Sequence, residues 1–94
     1  MKTIKKIPIE YKKLDFIPND KDLKQNTIYI SHRFQVAVHL CLCGCKNKSV
    51  TPLNRTGWVI AERVNKITFT PSILNNNCPK KYHYVIRNSI ANIL

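Results

Sequence analysis

The sequence predicts a mostly β fold built on a small antiparallel sheet. Three observations predict it. Short β-branched and aromatic runs alternate apolar with polar side chains, no segment sustains helical periodicity, and three cysteines crowd around a glycine where the clearest strand ends. Residues 1–24 alternate weakly, carry Pro8 and Pro18, and read as a strand or extended arm turning at Pro18, Asn19 and Asp20. Thr27–Ser31 is a strand by composition. Residues 34–40 form the clearest one, with Phe34, Val36, Val38 and Leu40 on one face and Gln35, Ala37 and His39 on the other. Residues 57–63 form a third, in which Val59 and Ala61 oppose Trp58 and Ile60; residues 66–70 and 82–87 follow, and 89–94 pair back as a short final strand. The polar stretches 46–49 and 74–77 read as loops.

Size and charge narrow the classes. A chain of 94 residues is one domain by the usual prior, divided here into the arm, 1–24, and a β core, 25–94. An apolar share of 44% suits a globular protein, and no apolar run approaches the roughly 20 residues of a membrane helix. The first residues lack the continuous apolar segment of a secretory signal, so the expected location is the cytoplasm. Disulfides are disfavoured there, and the four cysteines point to metal or redox chemistry. The net charge of +11 divides into +3 over residues 1–24 and +8 over 25–94, where Glu62 is the only acid. Such a surface attracts nucleic acid weakly and without sequence preference, or an acidic protein. The plainer explanation is the lysine, asparagine and isoleucine bias of an AT-rich genome.

Cys41, Cys43 and Cys45 follow directly on the best strand, and Cys78 immediately precedes another. Two ligand groups at strand ends, joined by sheet pairing, are the geometry of a zinc ribbon. A tetrahedral Zn2+ holds each sulfur at about 2.3 Å, so neighbouring sulfurs lie roughly 4 Å apart. A straight strand separates residues i and i+2 by about 6.6 Å. The chain must therefore turn inside the cluster, and Gly44 supplies the backbone freedom. Cys41, Cys43, Cys45, Cys78, His83 and His39 compete for four positions. Four sulfurs are the simplest set, with three cysteines and His83 as the alternative, and His39 fits a hydrogen-bonding role beside the ligands. The sheet is thus expected to be closed by a Cys/His metal site of structural type, because four thiolates leave no open position for water. Buried apolar thiols are the competing explanation, and three cysteines at alternate positions argue against it.

Other residues carry chemistry only in combination. Ser72 follows a strand and becomes a nucleophile if His83 or His39 lies beside it; alone it is a turn serine after Pro71. No G-x-S-x-G elbow is present. A full triad would have to borrow Asp15, Asp20, Asp22 or Glu62. Trp58 reads as core, and Lys80, Lys81 and Arg87 as a basic rim or solvated surface.

The stretch from His39 to Cys45, then Val50-Thr51-Pro52-Leu53, Trp58, Thr70-Pro71-Ser72-Ile73, Cys78, and His83-Tyr84-Val85-Ile86-Arg87-Asn88 together resemble a bacterial family of small metal-site proteins. Its pattern runs H-L-C-P-C-G-C-G, P-L-S-P, a tryptophan, P-S-I-G-N-W and C-x-S-H-Y-x-I. Members are often encoded beside ubiquitin-like proteins and their activating-like and conjugating-like partners. The likeness covers residues 25–94. Here Leu42 replaces a proline, Lys46 and Leu74 replace glycines, Tyr82 replaces the serine before the histidine, and the Cys78–His83 spacing is longer. The resemblance implies a zinc-bearing accessory or protein-binding module of a bacterial ubiquitin-like conjugation pathway, with a ubiquitin-like protein or its conjugation machinery as partner. It also implies a serine peptidase that cleaves such conjugates, with Ser72 and His83 or His39 at the matching positions. A nucleic-acid-binding zinc ribbon is the third reading, carried by charge.

Overall fold

A computed structural model describes residues 5–53, 57–70, 72–74, 80 and 82–94. In chain order its strands are β1 (Lys5–Pro8), β2 (Glu10–Lys13), β3 (Thr27–Ser31), β4 (Val36–Leu40), β5 (Lys48–Pro52), β6 (Val59–Arg63), β7 (Lys66–Thr70), β8 (Ile73–Leu74), β9 (His83–Arg87) and β10 (Ile90–Ile93). A single 3-10 turn, Asp20–Asp22, is the only helical piece among the described residues. Apart from that turn, every regular element among the described residues is a β-strand, as the alternating pattern predicts.

The strands form two four-stranded sheets and a hairpin. One sheet runs β1-β10-β9-β8, the other β2-β3-β4-β5, and β6 pairs with β7. All pairs are antiparallel except β2 and β3. That parallel pair is geometrically open because residues 14–26 cross back to the start of β3 with the 3-10 turn inside. Residues 5–13 change sheet at Ile9, whose N–H bonds the Ser89 carbonyl while Glu10 N–H bonds Asn26, each at 2.9 Å. The first segment is therefore an edge strand of both sheets.

Alternation decides which faces meet. Ile28 and Ile30 of β3, Ala37 of β4, Ile67 and Phe69 of β7, Ile73, and Tyr84 and Ile86 of β9 belong to one core cluster spanning both sheets and the hairpin. The opposite face of the second sheet buries Tyr29 and Val38 with Leu23, and Val36, Leu40 and Ile17 pack on them. Trp58 and Ile60 lean on the main core while Val59 and Ala61 face outward, as their alternation requires.

Three local expectations change. Phe34 and Gln35 leave the strand for a turn: Gln35 takes φ 52° and Phe34 is 55% exposed, stacked near Phe16 and Arg33. Part of the 46–49 loop becomes β5, an edge strand whose only buried side chain is Thr51, so no apolar alternation announces it. Leu74 joins the two-residue β8; residues 75–77 of that expected loop lie outside the described residues. Two-residue turns with both φ positive, at Val64–Asn65 and Asn88–Ser89, match the twist of their hairpins.

Candidate active site and metal centre

Ser72 and His83 meet because β8 pairs with β9. The register sets Ile73 opposite Tyr84 and Leu74 opposite His83. Ile73 and Tyr84 point into the core, so Leu74, His83 and Ser72 lie on the other face of the sheet. On that face the Ser72 Oγ lies 2.7 Å from His83 Nε2, with both side chains half-buried. The distance suits a hydroxyl donating to a neutral imidazole. The Trp58 indole Nε1–H donates to the Ser72 carbonyl at 3.3 Å. Pro71, expected to stiffen the approach to Ser72, lies outside the described residues.

Among the described residues no third member joins the pair. All five acidic side chains are among the described residues, and none bonds His83. Glu62 accepts from Lys13 Nζ at 2.8 Å and from the Tyr11 hydroxyl, and these bonds, Lys13 first, hold its carboxyl below the usual range. The same contact raises the Tyr11 hydroxyl. Asp20 pairs with Lys48 at 3.0 Å. The triad drawn from Asp15, Asp20, Asp22 or Glu62 does not form, because those acids lie on β6 and in the 14–26 crossover rather than beside β9.

His39 meets different surroundings. It projects from β4 into the core, fully buried, and its Nε2 shares a hydrogen bond with the Tyr84 hydroxyl. The two rings meet edge to face at 5.9 Å. Burial pushes its pKa down to about 4, so the ring is neutral near pH 7. Its Nδ1 has no partner among the described residues. Tyr84 points to the core face of β9 while its neighbour His83 points away, so the two histidines sit on opposite sides of that sheet.

The cysteine cluster closes on itself at the end of β4. The sulfurs of Cys41, Cys43 and Cys45 lie within 4.8 Å of one another, with Cys41 buried and the other two half-buried. Cys41 and Cys43 approach to 3.5 Å. Gly44 turns the chain at φ 91°, and the Gly44 N–H bonds the Cys41 carbonyl at 3.2 Å. The Cys41 N–H bonds Asn47 at 2.8 Å, and Gln25 Nε2 holds the Cys41 carbonyl at 2.9 Å. Three sulfurs this close fit three corners of a thiolate tetrahedron, whose edges are roughly 4 Å. They could hold a metal ion. Neither His39 nor His83 belongs to the group. Cys78 lies outside the described residues.

Sequence reasoning missed three participants. Tyr84 partners His39, Gln25 braces the cysteine turn from the turn that precedes β3, and Trp58 reaches Ser72 rather than only filling core. The only sequence signals were a tyrosine next to His83 and a lone tryptophan beside the apolar run 59–61, and neither names its partner.

No curated protein and no solved structure matches the chain. A family model described as bacterial ubiquitination-like system serine protease (BubE) matches residues 14–94, and the chain belongs to that family.

Proposed function

We propose that this protein is a serine peptidase of a bacterial ubiquitination-like system, cleaving the acyl bond between a ubiquitin-like protein and its target. The observation that carries the reading is the 2.7 Å contact between Ser72 Oγ and His83 Nε2. Membership of a family of bacterial ubiquitination-like system serine proteases supports the pathway and the reaction type. A serine hydroxyl is a weak nucleophile until a base takes its proton. Here His83 Nε2 accepts that proton as Ser72 Oγ attacks the carbonyl carbon, then returns it to the leaving group. Water, deprotonated by the same nitrogen, releases the acyl-enzyme. His39, buried against Tyr84, keeps the core in place. Zinc is the proposed ion for Cys41, Cys43 and Cys45, with Cys78 as fourth ligand, in a structural role; a thiolate set of this kind suits zinc.

The test is cleavage of a linear fusion and of a conjugate of a ubiquitin-like protein from the same bacterial system. Wild type is compared with Ser72→Ala, His83→Ala and His39→Ala, with metal content measured for each. Ser72→Ala and His83→Ala are expected to lose at least about a thousandfold in kcat with metal retained. Cleavage that survives Ser72→Ala removes Ser72 as nucleophile. A wild type that cleaves neither substrate, yet binds the ubiquitin-like protein, leaves a non-catalytic binding module.

A further inference from the structure

We infer that Trp58 is a positioning residue for the nucleophile, acting through its indole N–H on the main chain of Ser72. The inference rests on the reading of Ser72 as the attacking group.

Ser72 stands just before β8, whose described residues Ile73–Leu74 lie at the edge of its sheet. An edge strand is tied on one side only, which leaves the serine backbone less constrained. Its hydroxyl must nonetheless keep 2.7 Å to His83 Nε2. The bond from Trp58 Nε1 to the Ser72 carbonyl, 3.3 Å, supplies a tie from outside the sheet. Trp58 itself is anchored. Its backbone N–H donates to the Pro52 carbonyl at the end of β5, 2.9 Å away, and its half-buried ring packs on the main core. One rigid side chain therefore connects the edge of the second sheet to the serine of the first. Indole only donates and does not titrate, so the tie holds at every working pH. A misplacement of the order of 1 Å in a reacting group lowers rate up to about a hundredfold, more than the loss of one part-buried hydrogen bond would suggest.

Trp58 is the only tryptophan in the chain, so biosynthetic replacement by β-(3-benzothienyl)alanine is site-specific. That analogue keeps the ring shape and puts sulfur where the N–H was. It is compared with wild type and Trp58→Phe in two assays. The first is the rate at which a fluorophosphonate labels Ser72, and the second is kcat and KM on the ubiquitin-like fusion. Thermal midpoints and metal content serve as controls. The analogue is expected to slow labelling and lower kcat about tenfold, with KM within about threefold and the midpoint little changed. Labelling and kcat equal to wild type overturn the role of Trp58 while leaving the peptidase intact. So does a loss of activity that only tracks a lower midpoint in both variants. Wild type that neither labels at Ser72 nor cleaves overturns the peptidase reading, and the role of Trp58 with it.

Discussion

His39 and His83 differ in what surrounds the ring. His83 lies on the outer face of β9, half-buried, with Ser72 Oγ against it. His39 is sealed in the core, where desolvation disfavours the charged form and lowers its pKa to about 4. A neutral ring bonded to Tyr84 behaves as a structural side chain. Truncating it to alanine opens a cavity and deletes a buried hydrogen bond. His39→Ala is expected to cost about 2–4 kcal/mol of stability. Urea unfolding at pH 7 measures it, and a cost below about 1 kcal/mol would contradict a packed structural role. Gly44 is the other residue whose chemistry is conformational. Its φ of 91° is one that side chains rarely adopt, and a Cβ there would meet nothing within 4 Å, so the turn needs glycine for its backbone and not for space.

The β6–β7 hairpin pairs with neither sheet among the described residues and joins the rest through side chains and a main-chain bond from Ser89 N–H to the Ile67 carbonyl at 2.8 Å. Ile67 and Phe69 enter the main core, and Ile67 N–H bonds Ser89 Oγ at 3.0 Å. On its outer side Glu62 reaches across to β2, held by Lys13 and Tyr11. These bonds favour the ionised carboxylate, so its folded pKa lies below the ordinary 4.5. The unfolded chain then binds this proton first as pH falls. The contribution is full above the unfolded pKa and is lost as pH drops through the folded one. The link between hairpin and β2 should therefore weaken in acid. Glu62→Gln cannot ionise and should lower the urea midpoint slightly at pH 7, while losing less than wild type between pH 7 and pH 3. Equal losses in both proteins would show that the Glu62 cluster contributes nothing to the acid response.

At the scale of the whole molecule, the core cluster and the cysteine turn share an element. β4 carries Ala37 and His39 into the core and ends at Leu40, directly before Cys41, while Leu42 of the turn belongs to the core cluster itself. A metal ion on the three sulfurs would therefore tie the β4–β5 connection to the packed interior, and binding would add to folding stability. Removal of the ion by a strong chelator under reducing conditions should lower the thermal midpoint by at least about 10 °C, because structural zinc binding contributes several kcal/mol. Metal analysis of reduced protein should find close to one equivalent of zinc per chain. A folded sample holding less than about a tenth of an equivalent, with an unchanged midpoint after chelation, would sink the metal centre. The net charge of +11 is not concentrated in this way. Exposed lysines and arginines stand on β1, β2, β5, β7 and β9 alike, which favours weak, salt-sensitive attraction to polyanions over a built nucleic-acid groove.

Much of this was legible from residues alone. The strands with apolar alternation, 27–31, 36–40, 59–63, 66–70, 83–87 and 90–93, lie where that alternation puts them, because burial of one face is a local property of the pattern. The glycine-centred cysteine turn was legible for a similar reason: sulfur spacing and backbone freedom are set within a few residues. The edges β5 and β8 were not, since an edge strand buries little and owes its conformation to its neighbour. Nor could the sequence choose between His39 and His83 as the partner of Ser72. Both are histidines on strands, and the choice depends on which strand pairs with β8 and in what register. Setting Leu74 opposite His83 brings the serine to one histidine and leaves the other in the core with Tyr84. A one-residue slip would turn Ser72 to the opposite face, because strand side chains alternate. Local pattern thus determined the strands and the cysteine turn, whereas register, a long-range property, decided the candidate active site.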